Sequence, residues 1–285
     1  MGWVVDEHGM DLEQLPKGNT SSTSLNVRQW LASAHADVLF EATSLNVRDG
    51  QPAIENIRAA LEHGAHAITA NKGPIVHAYE ELRSLAVVKG KKLFFESTVM
   101  DGVPIFSMFR EGLPLIHLNA FRGILNSTTN VILTGMENGL SFEDSLKQAQ
   151  ALGIAETDPT NDVDGWDAAV KTTALVRVLM GGSLKVEEVR RQGIGELTQD
   201  MVRAARESGK AYKLVCRAWR ENGKVIASVE PEQVGLDDPL SGVSGTSSIL
   251  QLETDIFPKL TITEMNPGLE ATAYGMLADF IRAVS

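Results

Sequence analysis

Residues 37–73 of this 285-residue chain read DVLFEATSLNVRDGQPAIENIRAALEHGAHAITANKG. Two short apolar runs, at 37–43 and from Ala65 onward, have the length and composition of buried β-strands. Between them, Pro52 stands where a helix can begin, apolar residues recur at helical spacing, and Gly64 stands where the helix can stop. The stretch therefore predicts a strand–helix–strand unit.

The segments that follow repeat this alternation. A helical pattern runs from about His77 to Lys89, and a third apolar run, KKLFFEST, occupies residues 91–98. Continuous apolar strands joined by helices are typical of a parallel sheet covered on both faces, here a partial Rossmann-like sheet. In such sheets the active crevice lies at the carboxyl ends of the strands. Those ends are Ala42-Thr43-Ser44, Ala70-Asn71-Lys72 and Glu96-Ser97-Thr98.

After about residue 100 the pattern changes to helices mixed with strand-like runs. The runs AYKLVCRAW and KVIASVEP are joined by a turn containing Asn222-Gly223, which is a strong signal for a β-hairpin. The helical run at 165–182 is too apolar for a surface helix. We therefore expect an α/β part followed by an α+β part with a mostly antiparallel sheet.

The composition excludes several classes of protein. A formal net charge of -11 argues against nucleic acid or an anionic membrane as the partner, because both would be repelled. The single cysteine, Cys216, rules out an intrachain disulfide, and its apolar neighbours predict a buried thiol. No apolar run is long enough to cross a membrane and the first residues lack a secretion signal, so we expect a cytoplasmic protein.

Charge is densest in ALGIAETDPTNDVDGWDAAVK, residues 151–171, which contains the carboxylates Glu156, Asp158, Asp162, Asp164 and Asp167. A calcium loop is excluded because Lys171 occupies the position of its last carboxylate. Asp167 and Lys171 are four residues apart and so share one face of a helix. If partly buried, such a pair holds a lysine that can donate a proton to a carbonyl oxygen gaining negative charge. Spacing alone leaves a structural and a functional ion pair equally open.

The same stretch resembles the signature of homoserine dehydrogenases. The matching residues are Ala149 or Ala151, Gly153, Asp158, Pro159, Asp162, Gly165, Asp167 and Lys171. The segments ITANKGPI, FFESTVMDGVPIF, GILNSTTNVIL and VSGTSSILQLETD resemble further parts of that family, in the family's order. The resemblance therefore covers essentially the whole chain and rests on many fixed positions.

The resemblance implies reversible reduction of L-aspartate 4-semialdehyde to L-homoserine by NAD(P)H, on the route to threonine, methionine and isoleucine. Lys171 matches the lysine that donates or relays a proton to the aldehyde oxygen, and Asp167 matches its hydrogen-bonding partner. Glu156 and Asp162 match carboxylates on the substrate side, with Glu156 facing the substrate ammonium. Thr128 matches a hydroxyl of the substrate pocket.

An NAD or NADP cofactor is also implied. Lys72 matches a second active-site lysine, and Thr43 and Ser44 match residues that approach the nicotinamide half of the cofactor. Asn71 lies at the same strand end as Lys72 and joins the expected cofactor-binding set.

A monovalent-cation site is implied by the segment at 96–103. In the family, Na⁺ or K⁺ is held by residues that match Glu96 and the backbone carbonyls of Val99, Asp101 and Val103. Oxygen donors suit such an ion. A strand end turned by Gly102 accounts for the same residues, and both interpretations stay open at this point.

For the domains, the resemblance implies two interleaved parts. Residues 1–100, completed by the C-terminal helix at 266–285, would form a truncated dinucleotide-binding domain. Residues 101–265 would form the substrate-binding, catalytic and dimerisation domain, and the chain would be a homodimer with a small-molecule amino-acid substrate. No regulatory amino-acid-binding domain is expected after Ser285.

The phosphate-binding loop is where the chain departs from the family. No Gly-x-Gly-x-x-Gly occurs, and the opening residues Gly2–Asp6 resemble the family just after its second strand. Two explanations stay open: an incomplete piece of a longer reading frame, or a non-catalytic paralogue. The paralogue would keep the amino-acid pocket and the dimer surface but bind the nicotinamide cofactor poorly.

Overall fold

The computed structural model describes residues 26–285, and the opening segment Gly2–Asp6 lies outside them. The chain divides into two compact units: the first comprises Met1–Phe95 and Met276–Ser285, and the second comprises Glu96–Gly275. None of the helices within the described part of the chain is long and apolar enough to cross a membrane.

Three short parallel strands, in the order β1-β2-β3, form the sheet of the first unit. The strands and helices are β1 (Val38–Glu41), β2 (His66–Thr69), β3 (Leu93–Phe94), α1 (Val27–Ala34), α2 (Ala53–His63) and α3 (Lys72–Val88). The predicted parallel strand–helix–strand unit is confirmed. β3 is shorter than the apolar run from which it was predicted, because the chain turns into a 3₁₀ helix at Glu96–Thr98.

Helix α2 supplies much of the core of this unit. Its apolar stripe, Ile54, Ile57 and Leu61, is buried against residues that include Leu82 of α3. The helix ends at Gly64, whose φ of 97° is a left-handed conformation that glycine adopts without strain. The predicted stop is therefore confirmed.

The predicted start of the next helix, at His77, is wrong, because α3 begins at Lys72. Asn71 caps the helix by accepting a hydrogen bond from the backbone N–H two residues later, at 2.9 Å. Pro74 is tolerated in the first turn, where its missing N–H has no helical carbonyl to bond. The helix breaks at Ala78, where φ is -140°. The sequence pattern detected only the half that follows this break.

A six-stranded sheet, in the order β5-β7-β6-β4-β8-β9, is the scaffold of the second unit. Neighbouring strands are antiparallel, except that β5 runs parallel to β7. The strands are β4 (Leu118–Ile124), β5 (Arg190–Arg191), β6 (Lys210–Glu221), β7 (Lys224–Gly235), β8 (Ser248–Thr254) and β9 (Leu260–Glu264). The predicted fold class, α/β plus α+β with a mostly antiparallel second sheet, is confirmed.

The helices that begin in the second unit are α4 (Ile105–Ser107), α5 (Ser127–Glu137), α6 (Phe142–Ala151), α7 (Thr160–Val163), α8 (Trp166–Leu179), α9 (Gln199–Glu207) and α10 (Leu269–Val284). Helix α8 packs on strands β6 and β7. Ala168, Ala169 and Ala174 of α8 are fully buried. Because the apolar sequence of α8 draws it into the core, polar side chains in its first two turns lie at the edge of that core.

Strands β6 and β7 form a long hairpin that supports α8. Its turn residues Asn222 and Gly223 have φ values of 50° and 77°, the left-handed geometry of a type I′ turn. The predicted hairpin is confirmed. Cys216 of β6 is fully buried, and burial raises the pKa of its thiol to about 11.

Candidate active site

The start of helix α8 sets the position of the predicted catalytic pair. The chain enters the helix through Gly165, which has a φ of 80°. The guanidinium of Arg191 lies over the Trp166 ring, 3.7 Å from its centroid, and donates a hydrogen bond to the Asp164 carbonyl. The first turn of α8 is therefore held from outside the helix by a cation–π contact and a hydrogen bond.

Asp167 and Lys171 form a largely buried ion pair one helical turn apart. The Lys171 Nζ lies 3.4 Å from an oxygen of Asp167, and their side chains are 16% and 15% exposed. The same Nζ donates a hydrogen bond to the backbone carbonyl of Leu125 at 2.6 Å. These exposures show that the pair is not a solvated surface pair.

The charge state of Lys171 follows from its neighbours. Burial lowers the pKa of the Lys171 ammonium, but the charges of Asp167, Asp101 and Asp162, together with a hydrogen bond that the ammonium donates to Asp167, outweigh burial and raise the pKa overall. The amine is therefore held as a cation at neutral pH. An oriented, desolvated cation is what an oxygen that gains charge during a reaction requires.

One amide side chain connects three helices around this pair. Asn126, the N-cap of α5, donates to Asp162 of α7 at 2.6 Å and to Asp167 of α8 at 3.0 Å. Its carbonyl oxygen accepts the backbone N–H of Thr129 at 2.9 Å. Asn126 is buried and was not among the predicted site residues. It makes the carboxylates of α7 and α8 parts of one cluster.

Asp162 also lies within this cluster. Burial, followed by the charge of Asp167, raises the pKa of the Asp162 carboxyl. Hydrogen bonds from Asn126 and Thr128 and the charge of Lys171 oppose that rise. Thr128 is buried in the first turn of α5, and its hydroxyl also bonds the Ile154 carbonyl at 3.2 Å. Asp162 and Thr128 thus lie together beside the ion pair.

Two further carboxylates, those of Asp101 and Glu264, face Lys171. Neither side chain was predicted from the sequence. Asp101 has a left-handed backbone, with φ 42°, and accepts a hydrogen bond from the Thr272 hydroxyl at 2.7 Å. Glu264 ends β9. Burial and the charge of Asp101 raise the pKa of Glu264 to about 7. A hydrogen bond from Ser248 and the charge of Lys171 act in the opposite direction and lower it. Only the backbone carbonyl of Asp101 had been predicted to function.

Glu156 is not part of the buried cluster. It lies exposed in the loop between α6 and α7, and within residues 26–285 its carboxylate makes no hydrogen bond or ion pair. Asp158 is also exposed and accepts bonds from the backbone N–H and hydroxyl of Thr160. The acidic stretch is thus divided: its second half enters the core and its first half faces solvent.

The four predicted cofactor residues lie together in the first unit, at the carboxyl ends of β1 and β2. The side-chain amide of Asn71 donates to the carbonyls of Thr43 and Ser44, at 2.9 and 3.4 Å. Thr43 and Ser44 are exposed, and Lys72 is half-buried in the first turn of α3. These strand ends form one polar edge.

The segment predicted to bind a cation, residues 96–103, contains the expected oxygen ligands, but some of these oxygens also accept backbone hydrogen bonds. The two carboxylate oxygens of Glu96 accept the backbone N–H groups of Phe106 and Ser107, at 2.6 and 2.9 Å. The carbonyl of Val103 accepts the N–H of Ile105 at 2.8 Å. Carboxylate and backbone carbonyl oxygens are the kind of donor that suits a monovalent ion. Within the described residues no cluster of three His, Cys, Asp or Glu side chains could hold a metal.

Comparison with known proteins gives a consistent result. The family model for homoserine dehydrogenase matches residues 104–281. An NAD(+)-dependent homoserine dehydrogenase of Pseudomonas canavaninivorans is 35% identical over 295 residues, covering 99% of this chain and 83% of the relative. A homoserine dehydrogenase of Sulfurisphaera tokodaii is 38% identical over 281 residues, covering 99% of this chain and 88% of the relative.

Solved structures agree with the sequence relatives. A homoserine dehydrogenase from Thiobacillus denitrificans superposes with a TM-score of 0.83 at 32% identity, covering 90% of this chain and 59% of that one. One from Thermoplasma acidophilum gives a TM-score of 0.76 at 28% identity, covering 87% of this chain and 74% of that one.

Proposed function

The chain belongs to the homoserine dehydrogenase family, and from that premise we propose that it interconverts L-aspartate 4-semialdehyde and L-homoserine with a nicotinamide cofactor. The observation that carries this proposal is the buried Lys171–Asp167 pair, whose ammonium is held charged by surrounding carboxylates. We infer that the product supplies threonine, methionine and isoleucine synthesis.

Lys171 is the proton donor in the proposed reduction. When bound, the cofactor supplies the hydride that adds to the aldehyde carbon, which leaves negative charge on the oxygen. The Lys171 ammonium stabilises that charge more strongly in the transition state than in the substrate and transfers its proton to the oxygen. Asp167 orients the amine, and Asn126 fixes Asp167 by a hydrogen bond of 3.0 Å. In the oxidation direction, the neutral amine accepts the hydroxyl proton.

Substrate recognition follows from charge. The substrate is an amino acid, so its ammonium requires carboxylates, and Asp162 beside Thr128 provides one in the cluster. We propose that Glu156, which is exposed, faces the same ammonium once substrate occupies the site. That assignment rests on the resemblance of the 151–171 stretch to the family.

The cofactor is proposed to lie on the polar edge made by Thr43, Ser44, Asn71 and Lys72. NAD or NADP is compatible with these residues, and the relative from Pseudomonas canavaninivorans is named as NAD(+)-dependent. In this proposal residues 1–100 with 266–285 bind the cofactor, and residues 101–265 bind substrate. Lys72 serves as the second active-site lysine.

Two finer assignments accompany the proposal. We propose a homodimer that forms through the six-stranded sheet. That sheet carries half-buried arginines such as Arg122, which pairs with Asp238 at 2.8 Å. A Na⁺ or K⁺ ion is proposed at Glu96 and the carbonyls of Val99, Asp101 and Val103. The mass of the chain by light scattering tests the first, and thermal stability in KCl against choline chloride tests the second. A cytoplasmic location stays a prediction.

The activity test is a substrate panel. The chain is incubated with NAD⁺ or NADP⁺ at alkaline pH, and formation of the reduced cofactor is followed with L-homoserine, L-serine or L-threonine. Oxidation of L-homoserine well above the other two is expected, because only its hydroxyl is on C4. Absence of oxidation with either cofactor contradicts the proposal. The comparisons do not favour a non-catalytic paralogue, and calorimetry with L-homoserine and NADPH separates it: it would bind only the amino acid.

A further inference from the structure

Glu41 is a buried carboxylate that the proposed mechanism does not use. It is the last residue of β1, and only 2% of it is exposed. Its Oε1 accepts hydrogen bonds from the backbone N–H of Thr43, at 3.1 Å, and from the Thr43 hydroxyl. Its Oε2 accepts the hydroxyl of Thr69, the last residue of β2, at 3.1 Å. Glu41 therefore joins the ends of two neighbouring strands.

The connection continues into the next loop and returns to its start. Thr69 Oγ1 accepts the backbone N–H of Asn71 at 2.9 Å. The Asn71 amide in turn donates to the carbonyls of Thr43 and Ser44. These bonds close a ring that contains Glu41, Thr43, Asn71 and Thr69. Two members of this ring, Thr43 and Asn71, belong to the proposed cofactor edge.

The chemistry of the ring requires a carboxylate at its centre. All three groups that reach Glu41 are donors, and an ionised carboxylate is an acceptor only. A glutamine would turn one N–H₂ group toward these donors and leave at least one buried hydrogen without an acceptor. Within residues 26–285, the partners of Glu41 are neutral groups. A buried charge without a cation stabilises a fold less than an apolar side chain would. This favours a positioning role for Glu41 over a purely stabilising one.

We propose that Glu41 is a positioning residue for the cofactor: its carboxylate holds Thr43 and Ser44 against Asn71, so that the two strand ends present one rigid edge to the nicotinamide half. This inference rests on the proposed dehydrogenase function. It concerns binding of the cofactor, whereas the residues around Lys171 act on the amino acid.

Steady-state kinetics of the full chain with E41Q test this role. NAD⁺ or NADP⁺ is varied at saturating L-homoserine, and then L-homoserine is varied at saturating cofactor. E41Q is expected to raise KM for the cofactor about tenfold, which corresponds to about 1.4 kcal/mol, and to leave KM for L-homoserine within about twofold. The matched control is E62Q, a carboxylate of the same unit that pairs with Arg28 on the surface. Equal kinetics of E41Q and wild type overturn the proposal, and so does an equal rise in both KM values.

A second pair of variants covers the possibility that E41Q does not fold. T69V removes the hydroxyl that joins Glu41 to Asn71 while keeping the side-chain shape, and T69S restores it. T69V is expected to weaken cofactor affinity and T69S to recover most of the loss. Equal affinities of T69V and T69S overturn the proposal. If the wild-type chain neither oxidises L-homoserine nor binds NADPH, the proposed function has failed, which is a different result from an active wild type with an unaffected E41Q.

Discussion

Two buried lysines of the second unit, Lys171 and Lys213, show what the surroundings of an amine decide. Lys213 of β6 is 1% exposed as a side chain, and its Nζ lies 2.9 Å from the Val243 carbonyl and 3.7 Å from Glu137. Burial is the largest influence on both amines. It prevails at Lys213, whose pKa is lowered, but not at Lys171, whose pKa is raised.

The difference lies in the number of carboxylates. The charges of Asp167, Asp101 and Asp162 all raise the pKa of Lys171. At Lys213 only Glu137 raises the pKa, and the positive charge of Arg206 lowers it further, as burial does. A cation stabilised by three carboxylates stays charged and available to a reacting oxygen. Lys213 has one carboxylate and two carbonyl oxygens as partners, those of Val243 and of the Asn130 side-chain amide, and it connects strand β6 to helix α5. The charges around the two amines therefore differ in the way that the proposed catalytic role of Lys171 requires.

The largest expected effect is on turnover. K171A is expected to lower kcat for L-homoserine oxidation about 10³-fold, because proton transfer and charge stabilisation are both lost. K213M should fold less stably but keep kcat within about tenfold. The control is K147A, a lysine that is 72% exposed. A K171A enzyme that turns over like K147A would break the distinction between the two lysines.

The free energy of unfolding should depend more on Lys213 than on Lys171, the reverse of the expected effects on turnover. K213M leaves Glu137 buried without its cation, and removal of one partner of a buried pair costs about 3 kcal/mol. Urea unfolding measures this loss. The double variant K213M/E137L removes both charges and should recover more than half of it. If the double variant is no more stable than K213M, the ion pair is not the reason for the loss.

D167N changes the foremost of the charges that favour the Lys171 ammonium. We expect the pKa of Lys171 to fall and kcat to drop about tenfold to hundredfold, at about 1.36 kcal/mol for each tenfold. The alkaline limb of the pH–rate profile for aldehyde reduction should move to lower pH, because the proton donor is lost earlier. D164N, an exposed carboxylate three residues earlier, is the control. Identical profiles for D167N and D164N would contradict the role of Asp167.

The smallest expected effect is on the pH dependence of stability. The folded-state pKa of Lys213 lies below the unfolded value of 10.5, so the unfolded chain binds more protons between those values and stability rises with pH there. For Lys171 the folded pKa lies above 10.5, so its contribution is complete below 10.5 and is lost as pH passes the folded value. Unfolding free energies measured as pH approaches 10.5 from below should rise less steeply in K213M than in wild type. Parallel curves would contradict the lowered pKa.

Much of the fold could be predicted from local patterns. The Asn222-Gly223 turn fixes a hairpin by itself, and the apolar run of α8 is long enough to identify a buried helix. Strands β4 and β8 were not predicted, because their sequences are neither consistently apolar nor consistently alternating. In β4, Gly123 looks like a strand breaker, yet a Cβ there would lie 2.4 Å from the Ile249 carbonyl of β8. The glycine is set by the neighbouring strand, which local sequence does not reveal.

The candidate site divides in the same way. Asp167 and Lys171 could be predicted because helical spacing alone places them on one face. Asn126 and Glu264 reach the cluster from α5 and β9, so only tertiary structure brings them there. Asp101 was expected to act through its carbonyl, but its side chain also contributes to the charge around Lys171. Charge surroundings of this kind depend on several elements at once.

Chemical rescue tests most directly the claim that the Lys171 amine exchanges a proton with the substrate oxygen, as the donor in reduction and the acceptor in oxidation. L-homoserine oxidation by K171A is measured with increasing ethylamine, an amine small enough to enter the space left by the side chain, and K213A is measured in parallel. Turnover of K171A is expected to rise with ethylamine and to saturate, while K213A is expected not to respond. A K171A enzyme that stays inactive at every amine concentration while still binding L-homoserine and cofactor, or one active without amine, would contradict it.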